Sequence, residues 1–182
     1  MRKIIAAINT TVDGVCDHTA VNPDEEVHQY YADLLAGAET VLYGRITYEL
    51  MQYWKRIVAE PTGEKATDEF AMMMDSVPKL VFSTTLTELN WRTAELAKRT
   101  LEEEIADLRQ GSGKPVLLGS RSLILQALKL GLIDELQLCI HPVIAGSGML
   151  LFENINDRTE LKLTGTRVFE GGAIVLFYQP VK

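Results

Sequence analysis

A repeated switch from β-type to helical apolar spacing is the sequence feature that most restricts the possible folds. The clearest instance runs from residue 116 to residue 128 and reads Val-Leu-Leu-Gly-Ser-Arg-Ser-Leu-Ile-Leu-Gln-Ala-Leu. A short apolar run typical of a buried strand is followed, after Gly119-Ser-Arg-Ser122, by apolar residues at helical spacing. This pattern predicts a strand that leads directly into a helix, which is the repeating unit of a parallel sheet.

The same alternation continues through most of the chain. Strands are predicted over residues 3–9, 40–43, 79–83, 115–118 and 135–143. Helices are predicted over residues 22–36, 47–54, 65–75, 96–109 and 122–130. In the first helix Asn22 is the predicted N-cap, because Pro23 suits the first helical position and Glu25 lies three residues after the cap.

The last two predicted strands form a different unit. Residues 160–168 and 173–179 are joined by Glu170-Gly-Gly172, and this spacing suits a hairpin. Alternating units followed by a hairpin predict an α/β fold whose sheet is mostly parallel with an antiparallel edge. Because 182 residues are an ordinary length for one domain, we expect residues 1–182 to form a single domain.

Composition and charge exclude several classes of function. No apolar run reaches the roughly 18 residues that a membrane span needs, and the first eight residues indicate a strand rather than a signal peptide. The net charge of −7 disfavours loose binding to nucleic acid or to anionic membranes. Cys16 and Cys139 form no CxxC pair, which favours a reduced, cytoplasmic protein.

Two strand-to-helix junctions are candidates for binding phosphate. Small residues at such a junction leave backbone N–H groups free at the positive end of the helix dipole. One junction is Gly119-Ser-Arg-Ser122, and the other contains Gly44 and Arg45, whose guanidinium can bind a phosphate through two nitrogens. Ser83-Thr-Thr85 adds hydroxyls at a third strand end. The alternative is ordinary turns with a capping serine and solvated arginines, and the pattern leaves both interpretations open.

Other chemistry has less support in the sequence. The three histidines show no metal-ligand spacing, so no metal site is predicted. The chain contains no GxSxG elbow, GxGxxG fingerprint or Walker lysine motif. Asp24, Glu25 and Glu26 could handle protons, but acidic residues also favour the first turn of a helix because of its dipole.

Five segments, weak singly but specific together, point to a known family. They are Ile5-Ala-Ala7 with Thr11-Val-Asp-Gly14, Val41-Leu-Tyr-Gly-Arg-Ile-Thr-Tyr-Glu49, Lys79-Leu-Val-Phe-Ser-Thr-Thr-Leu86, Val116-Leu-Leu-Gly-Ser-Arg-Ser122, and His141-Pro-Val-Ile-Ala-Gly-Ser-Gly148 with Leu151-Phe152. In this order they resemble the dihydrofolate reductase-like superfamily, in the branch typified by the C-terminal reductase domain of bacterial riboflavin biosynthesis. The resemblance covers nearly the whole chain.

The resemblance implies a three-layer α/β/α fold, with a mostly parallel central sheet and a C-terminal antiparallel hairpin, and NADPH as cofactor. Backbone at Ala7 would orient the nicotinamide amide. The residues implied to hold the phosphates and the adenosine ribose are Gly44, Arg45, Thr47, Ser83, Thr84, Gly119, Ser120, Arg121 and Ser122.

The substrate side departs from both known patterns. Dihydrofolate reductases carry a Pro-Trp pair after the first strand, whereas this loop contains no tryptophan, and Val15 replaces a lysine usual in the riboflavin reductases. The resemblance nevertheless implies a pterin- or pyrimidinone-like substrate, as in 5-amino-6-(5-phosphoribosylamino)uracil reductases. It would lie beside Trp54, with Asp13 and Glu26 as the predicted catalytic carboxylates.

The leading expectation is therefore an NADPH-dependent oxidoreductase that is a homodimer in the cytoplasm. A nucleotide-binding module of the same fold without turnover is the alternative, because it would need the same phosphate contacts. A purely structural dimer, in which residues 136–143 and the hairpin pair between subunits, is a third interpretation. No nucleic-acid or membrane partner is expected.

Overall fold

The structure is a computed structural model that describes residues 1–153, 155 and 158–181. These residues form helices and strands whose positions agree broadly with the predicted alternation. In chain order they are β1 (Ile4–Thr11), α1 (Glu25–Ala36), β2 (Thr40–Gly44), α2 (Arg45–Met51), α3 (Tyr53–Ala59), α4 (Lys65–Ser76), β3 (Lys79–Phe82), β4 (Ala94–Leu96), α5 (Leu101–Gln110), β5 (Val116–Leu118), α6 (Arg121–Lys129), β6 (Glu135–His141), β7 (Leu161–Val168) and β8 (Ile174–Pro180).

The strands pair into one eight-stranded sheet in the order β4-β3-β2-β5-β1-β6-β8-β7. From β4 to β6 all neighbours are parallel, whereas β8 pairs antiparallel with both β6 and β7. Helices between most of these strands return the chain to the starting edge of the sheet, whereas β3 and β4 are joined by a loop. The predicted fold class is confirmed, including the antiparallel hairpin.

Helices cover the two faces of the sheet because neighbouring residues of a strand point to opposite sides. On one face Ile5 and Leu117 belong to a core cluster with Leu35 of α1 and Phe70 of α4. On the other face Ile4 and its strand neighbours pack with residues of α5 and α6 in a second cluster. The sheet is thus the middle of three layers, as the resemblance implied.

The predicted start of α1 was wrong by two residues. The N-cap is Asp24, whose side chain accepts a hydrogen bond from Val27 N, and the helix begins at Glu25. Asn22 and Pro23 therefore precede the helix. A carboxylate and a side-chain amide are equally good caps, so sequence alone could not choose between Asn22 and Asp24.

Two predicted helices also differ from the structure. Residues 47–54 span parts of α2 and α3, which are separated at Gln52. Residues 96–109 include the end of the short edge strand β4, and α5 starts only after Thr100, which forms a reciprocal capping box with Glu103. A three-residue strand is too short to show alternation, so no sequence pattern indicated β4.

No helix in the described part of the chain is both long enough and apolar enough to cross a membrane. Cys16 and Cys139 are both free thiols.

Candidate cofactor site

The candidate phosphate-binding residues lie along one edge of the sheet. In a parallel sheet the carboxyl ends of the strands share an edge, which is where α/β proteins commonly bind ligands. Strand β2 pairs with β5, with Leu42 opposite Leu118, so the junctions that follow these two strands are neighbours. The two junctions, 76 residues apart in sequence, therefore meet in space.

A direct hydrogen bond joins the two junctions. The backbone N–H of Gly44 donates to Ser120 Oγ at 2.8 Å, and Ser120 is only 1% exposed. A Cβ atom built on Gly44 would lie 3.1 Å from Ser122 Oγ. The absence of a side chain at Gly44 therefore keeps open a small space lined by backbone and by the exposed Ser122 hydroxyl. This space is the centre of the candidate site, called here the cradle, which comprises Gly44, Gly119, Ser120 and Ser122.

Gly119 has a packing role as well. A Cβ atom at this position would lie 2.6 Å from Cε1 of Tyr43, closer than real side chains allow. Tyr43 is buried, its hydroxyl donates to Met74 Sδ, and burial raises the pKa of the phenol. Gly119 is therefore needed for packing against Tyr43, and Ser120 does not cap α6 with its side chain but accepts from Gly44 instead.

The two predicted arginines are arranged differently. Arg45 is 43% exposed and its Nη1 binds both carboxylate oxygens of Glu49, four residues later in the same helix. Arg121 is 23% exposed, and its Nε donates to the Leu150 carbonyl oxygen at 2.8 Å. Arg45 would reach a ligand by giving up an exposed ion pair, whereas the Nε of Arg121 is held by the loop after β6, and the predicted phosphate contact of Arg121 stays a prediction.

The remaining predicted phosphate residues differ in their exposure and in their hydrogen-bond partners. Thr47 is half-buried in the first turn of α2, and Thr84 is exposed beyond the end of β3. Ser83 is also half-buried, but its Oγ accepts hydrogen bonds from Thr85 N and Leu86 N. Ser83 therefore stabilises its own turn, and its predicted contact with a ribose phosphate remains a prediction.

Ala7 lies where its backbone can meet a ligand. On β1, Lys3 O accepts from Val116 N of β5, while Ile4 O accepts from Asp134 N on the β6 side. Because backbone groups alternate between the two neighbours, Ala7 directs its N–H and C=O toward β5. The paired part of β5 ends one residue earlier, opposite Ala6. These backbone groups are thus at the boundary of the ladder beside the cradle.

Asp13 connects two loops. Its carboxylate accepts hydrogen bonds from Thr11 Oγ1 and from the backbone N–H groups of Ala145 and Gly146. The hydrogen bond from Thr11, then those from Gly146 and Ala145, lower its pKa to about 2. Asp13 is therefore ionised at neutral pH and does not hold a proton to donate. Its catalytic role stays a prediction, and this geometry favours a structural role.

Glu26 is also engaged by backbone. Its Oε2 accepts a hydrogen bond from Glu170 N at 2.5 Å, in the turn between β7 and β8. A Cβ atom on Gly171 would lie 2.1 Å from Asp24 Oδ2, so the start of α1 is packed closely on this turn. Glu26 is exposed and fixes the hairpin to α1, and its predicted catalytic role is likewise untested.

Asp17 helps to pair the loop after β1 with a distant part of the chain. Its Oδ2 accepts from Met149 N, and Cys16 N donates to Met149 O, which pairs the loop after β1 with the loop after β6. A further bridge joins Val15 to Leu150, the same residue whose carbonyl binds Arg121. The partners are more than 130 residues apart, and no local pattern could have indicated them.

The histidines lie in different surroundings in the described part of the chain. Within residues 1–153, 155 and 158–181 no group of three or more His, Cys, Asp or Glu side chains lies close enough to hold a metal ion. His28 packs against Trp54 and Phe70 in an aromatic cluster, and burial lowers its pKa. Trp54 is thus part of a packed wall on the α1 side of the sheet.

Comparison with known proteins identifies relatives over the whole length of the chain. Residues 2–175 match the RibD C-terminal domain. The uncharacterized protein YyaP of Bacillus subtilis (strain 168) is 32% identical over 185 residues, which cover 97% of this chain and 94% of YyaP.

Solved structures share the fold. A provisionally named riboflavin biosynthesis protein from Shewanella sp. PV-4 superposes with a TM-score of 0.74 at 22% identity, over the full length of both chains. Dihydrofolate reductase from Enterococcus faecalis, solved in complex with NADP(H), gives a TM-score of 0.63 at 14% identity, over 99% of this chain and 97% of that one. At these identities the likeness establishes the fold alone.

Proposed function

The chain belongs to the RibD C-terminal domain family, and on that premise we propose that it is an NADPH-dependent reductase of a small conjugated substrate. One observation carries the proposal: two separate strand-to-helix junctions are joined by the Gly44–Ser120 hydrogen bond into a cradle at the carboxyl edge of the sheet. Gly44 N–H is used in this bond, and Gly119 N–H donates to Leu42 O. The groups offered to phosphate oxygens are therefore the Ser122 hydroxyl, the N–H groups at the starts of the two helices and the exposed Arg45 guanidinium. The Enterococcus neighbour, of the same fold, binds NADP(H).

The cofactor would be held mainly by the cradle. Arg45, released from Glu49, and Ser122 would bind phosphate oxygens, with Thr47 and Thr84 at its margins. Backbone at Ala7 would orient the nicotinamide amide. When bound, NADPH supplies the hydride, and the protein contributes orientation and exclusion of water. Arg121 would act indirectly by fixing the loop after β6, because its Nε is already bound to Leu150.

The substrate class is proposed from the family. The Shewanella neighbour is named for riboflavin biosynthesis, and the sequence resemblance is to reductases of pyrimidinone compounds. A flat ring would lie on the α1 side of the sheet, where Trp54 forms part of an aromatic wall. Asp13 and Glu26 would position the surrounding loops, so water is the proposed proton source.

A binding module without turnover is the second candidate. It is favoured by one observation, that both predicted catalytic carboxylates already accept backbone hydrogen bonds. The two candidates share the cradle and differ in whether NADPH is consumed.

We also propose a cytoplasmic homodimer. On the face of the sheet packed by α5 and α6, no helix among the described residues covers the β8–β7 end. Val168 pairs with Ile174 on this face, and they are 69% and 37% exposed, while Leu163 is 50% exposed. An uncovered apolar sheet face of this kind suits a second copy of the chain. The cytoplasmic location rests on the two free thiols.

The test is titration of the purified protein with NADPH and with NADH, followed by nicotinamide fluorescence. We expect micromolar binding of NADPH and much weaker binding of NADH. NADPH oxidation at 340 nm with pyrimidinone and pterin compounds then separates an enzyme from a binding module. A protein that binds neither nucleotide contradicts both candidates.

A further inference from the structure

A hydrogen-bonded pair lies on the α1 side of the sheet near the carboxyl ends of β1 and β6. Asn9 is opposite Cys139 and Thr11 is opposite His141, so all four side chains point to this face. His141 Nε2 is 2.9 Å from Asn9 Oδ1. His141 is only 4% exposed, whereas Asn9 is half-buried. The histidine is thus enclosed, and the asparagine lies between it and the surface.

The structure places the Oδ1 end of the Asn9 amide toward His141, an arrangement that goes with the tautomer of the ring protonated at Nε2. With Asn9 Oδ1 as acceptor, the His141 ring donates from Nε2, and burial lowers the pKa of His141, which keeps the ring neutral. The Asn9 Nδ2 group then points away with two N–H donors. It makes no hydrogen bond to any residue within the described ranges, and it is not among their buried unpaired atoms. Asn9 is therefore a fixed donor that a ligand can reach.

The neighbouring polar groups on this face are already occupied. Tyr30 donates to Gln137 Oε1 at 2.5 Å, and Gln137 Nε2 donates to Glu135 at 2.6 Å. Thr11 donates to Asp13. Gln137 keeps one further N–H but is only 5% exposed, so Asn9 differs from these groups in having an amide nitrogen with no partner among the described residues and a half-buried position.

The position of Asn9 connects it to the proposed cofactor contact. It lies two residues after Ala7 on the same strand and the same face, roughly 7 Å further toward the carboxyl edge. If backbone at Ala7 meets the nicotinamide amide, a ring stacked beside the nicotinamide on the α1 side would reach Asn9.

We propose that Asn9 is a specificity-determining residue that donates a hydrogen bond to a ring carbonyl oxygen of the substrate, and that His141 is its positioning residue. This assignment rests on the proposed function. A carboxylate here would select ring N–H and amino groups, whereas the Asn9 amide nitrogen selects an acceptor. The site therefore takes a pyrimidinone or pterin that presents its carbonyl oxygen, and it disfavours rings with an amino group in that place.

The experiment compares 5,6-diaminouracil with 2,4,5,6-tetraaminopyrimidine. The second compound carries amino groups where the first carries ring carbonyl oxygens. Binding is measured by tryptophan fluorescence with and without saturating NADPH. Wild type is expected to bind the uracil at least about tenfold more tightly, because a site built for a hydrogen bond rejects an analogue that lacks it. Asn9→Asp, which still accepts from His141 but presents an acceptor outward, is expected to lose or reverse this preference.

Two further variants and one control complete the test. His141→Leu removes the positioning contact and should reduce the preference, while His141→Gln, which keeps an N–H donor, should restore part of it. Asn22→Asp makes the same charge change at an exposed position and should have no effect. Circular dichroism establishes that each variant folds, and Asn9→Ser replaces Asn9→Asp if the latter does not.

The outcomes separate this inference from the proposed function. If wild type and Asn9→Asp both bind NADPH and only wild type prefers 5,6-diaminouracil, the result supports both the proposed function and the role of Asn9. NADPH binding with no preference in wild type, or with a preference that Asn9→Asp retains, overturns the role of Asn9 alone. If wild type does not bind NADPH, the proposed reductase function is contradicted. The pyrimidine preferences of wild type and Asn9→Asp, measured without cofactor, then decide the role of Asn9.

Discussion

The junctions after β2 and β5 share a sequence pattern, a glycine followed closely by an arginine, yet the two arginines make different contacts. Arg45 makes an exposed ion pair with Glu49 within its own helix. Arg121 reaches across to the Leu150 carbonyl and helps hold the loop after β6. An exposed pair between residues four apart contributes only about 0.3–0.5 kcal/mol, so Arg45 is nearly free to bind a ligand.

A phosphate-binding pattern of this kind therefore has two separable components. The junction after β2 supplies the open space and an exposed cation, whereas the junction after β5 supplies the buried Ser120 hydroxyl that supports it. In the proposed function the arginine binds the ligand at the first junction and supports the framework at the second, where Ser122 also faces the phosphate. Four sets of substitutions test this division and the loop that Arg121 contacts.

The largest effect is expected when the two glycines are exchanged for alanine. A Cβ at Gly119 would lie 2.6 Å from the ring of buried Tyr43, so Gly119→Ala should lower the free energy of unfolding by about 1–3 kcal/mol. The matched change Gly44→Ala meets Ser122 Oγ at 3.1 Å and should affect stability little while weakening NADPH binding. Urea denaturation and nucleotide titration measure both quantities. Equal destabilisation by the two changes would contradict the division.

The arginines provide the next test. Arg45→Ala should weaken NADPH binding about tenfold with little change in melting temperature, because a charged hydrogen bond to phosphate is lost. Arg121→Ala should instead loosen the loop after β6, increasing amide hydrogen exchange around Met149. Arg45→Lys, which keeps the charge but not the paired nitrogens, should fall between wild type and Arg45→Ala. A larger loss of affinity in Arg121→Ala would reverse the proposed roles.

A smaller effect, dependent on pH, is expected for the loop that Arg121 holds. Hydrogen bonds lower the pKa of Asp13 from 3.8 to about 2, so its ionised form contributes stability that is present above pH 3.8 and lost as the pH falls to about 2. Asp13→Asn should therefore be less stable than wild type at pH 7 and comparable to it near pH 2. Denaturation across this range measures the difference, with Glu60→Gln as the exposed control. A difference that does not vary with pH would exclude this linkage.

The smallest effect is expected from the partner of Arg45. Glu49→Gln removes the ion pair that NADPH binding would have to break, so affinity should rise by about 0.3–0.5 kcal/mol, roughly twofold. Isothermal titration at low and high salt measures this gain, which should shrink as salt screens the pair. An unchanged or lower affinity would mean that Glu49 helps to orient Arg45.

Much of the fold could be predicted from local patterns. Strand-to-helix alternation, the junction glycines and the hairpin spacing each depend on residues close together in sequence, and the mixed sheet followed from them. The errors in the predicted helix and strand boundaries also arose from local sequence. Asn22 and Asp24 are equivalent caps, the break at Gln52 has no proline or glycine to mark it, and β4 is too short to show a period.

The fold class, the family and the residues that could form a cradle can be read from the chain alone, because they depend on spacing and residue type. Which of those residues are available to a ligand depends on contacts that form only in the folded protein. Asp13 and Glu26 accept backbone hydrogen bonds from residues more than 130 positions away, and Arg121 binds a carbonyl in a distant loop. Asn9 obtained its orientation from His141 in the same way. A side chain's role depends on which partner satisfies its hydrogen-bonding groups, and that partner is set by strand order and register.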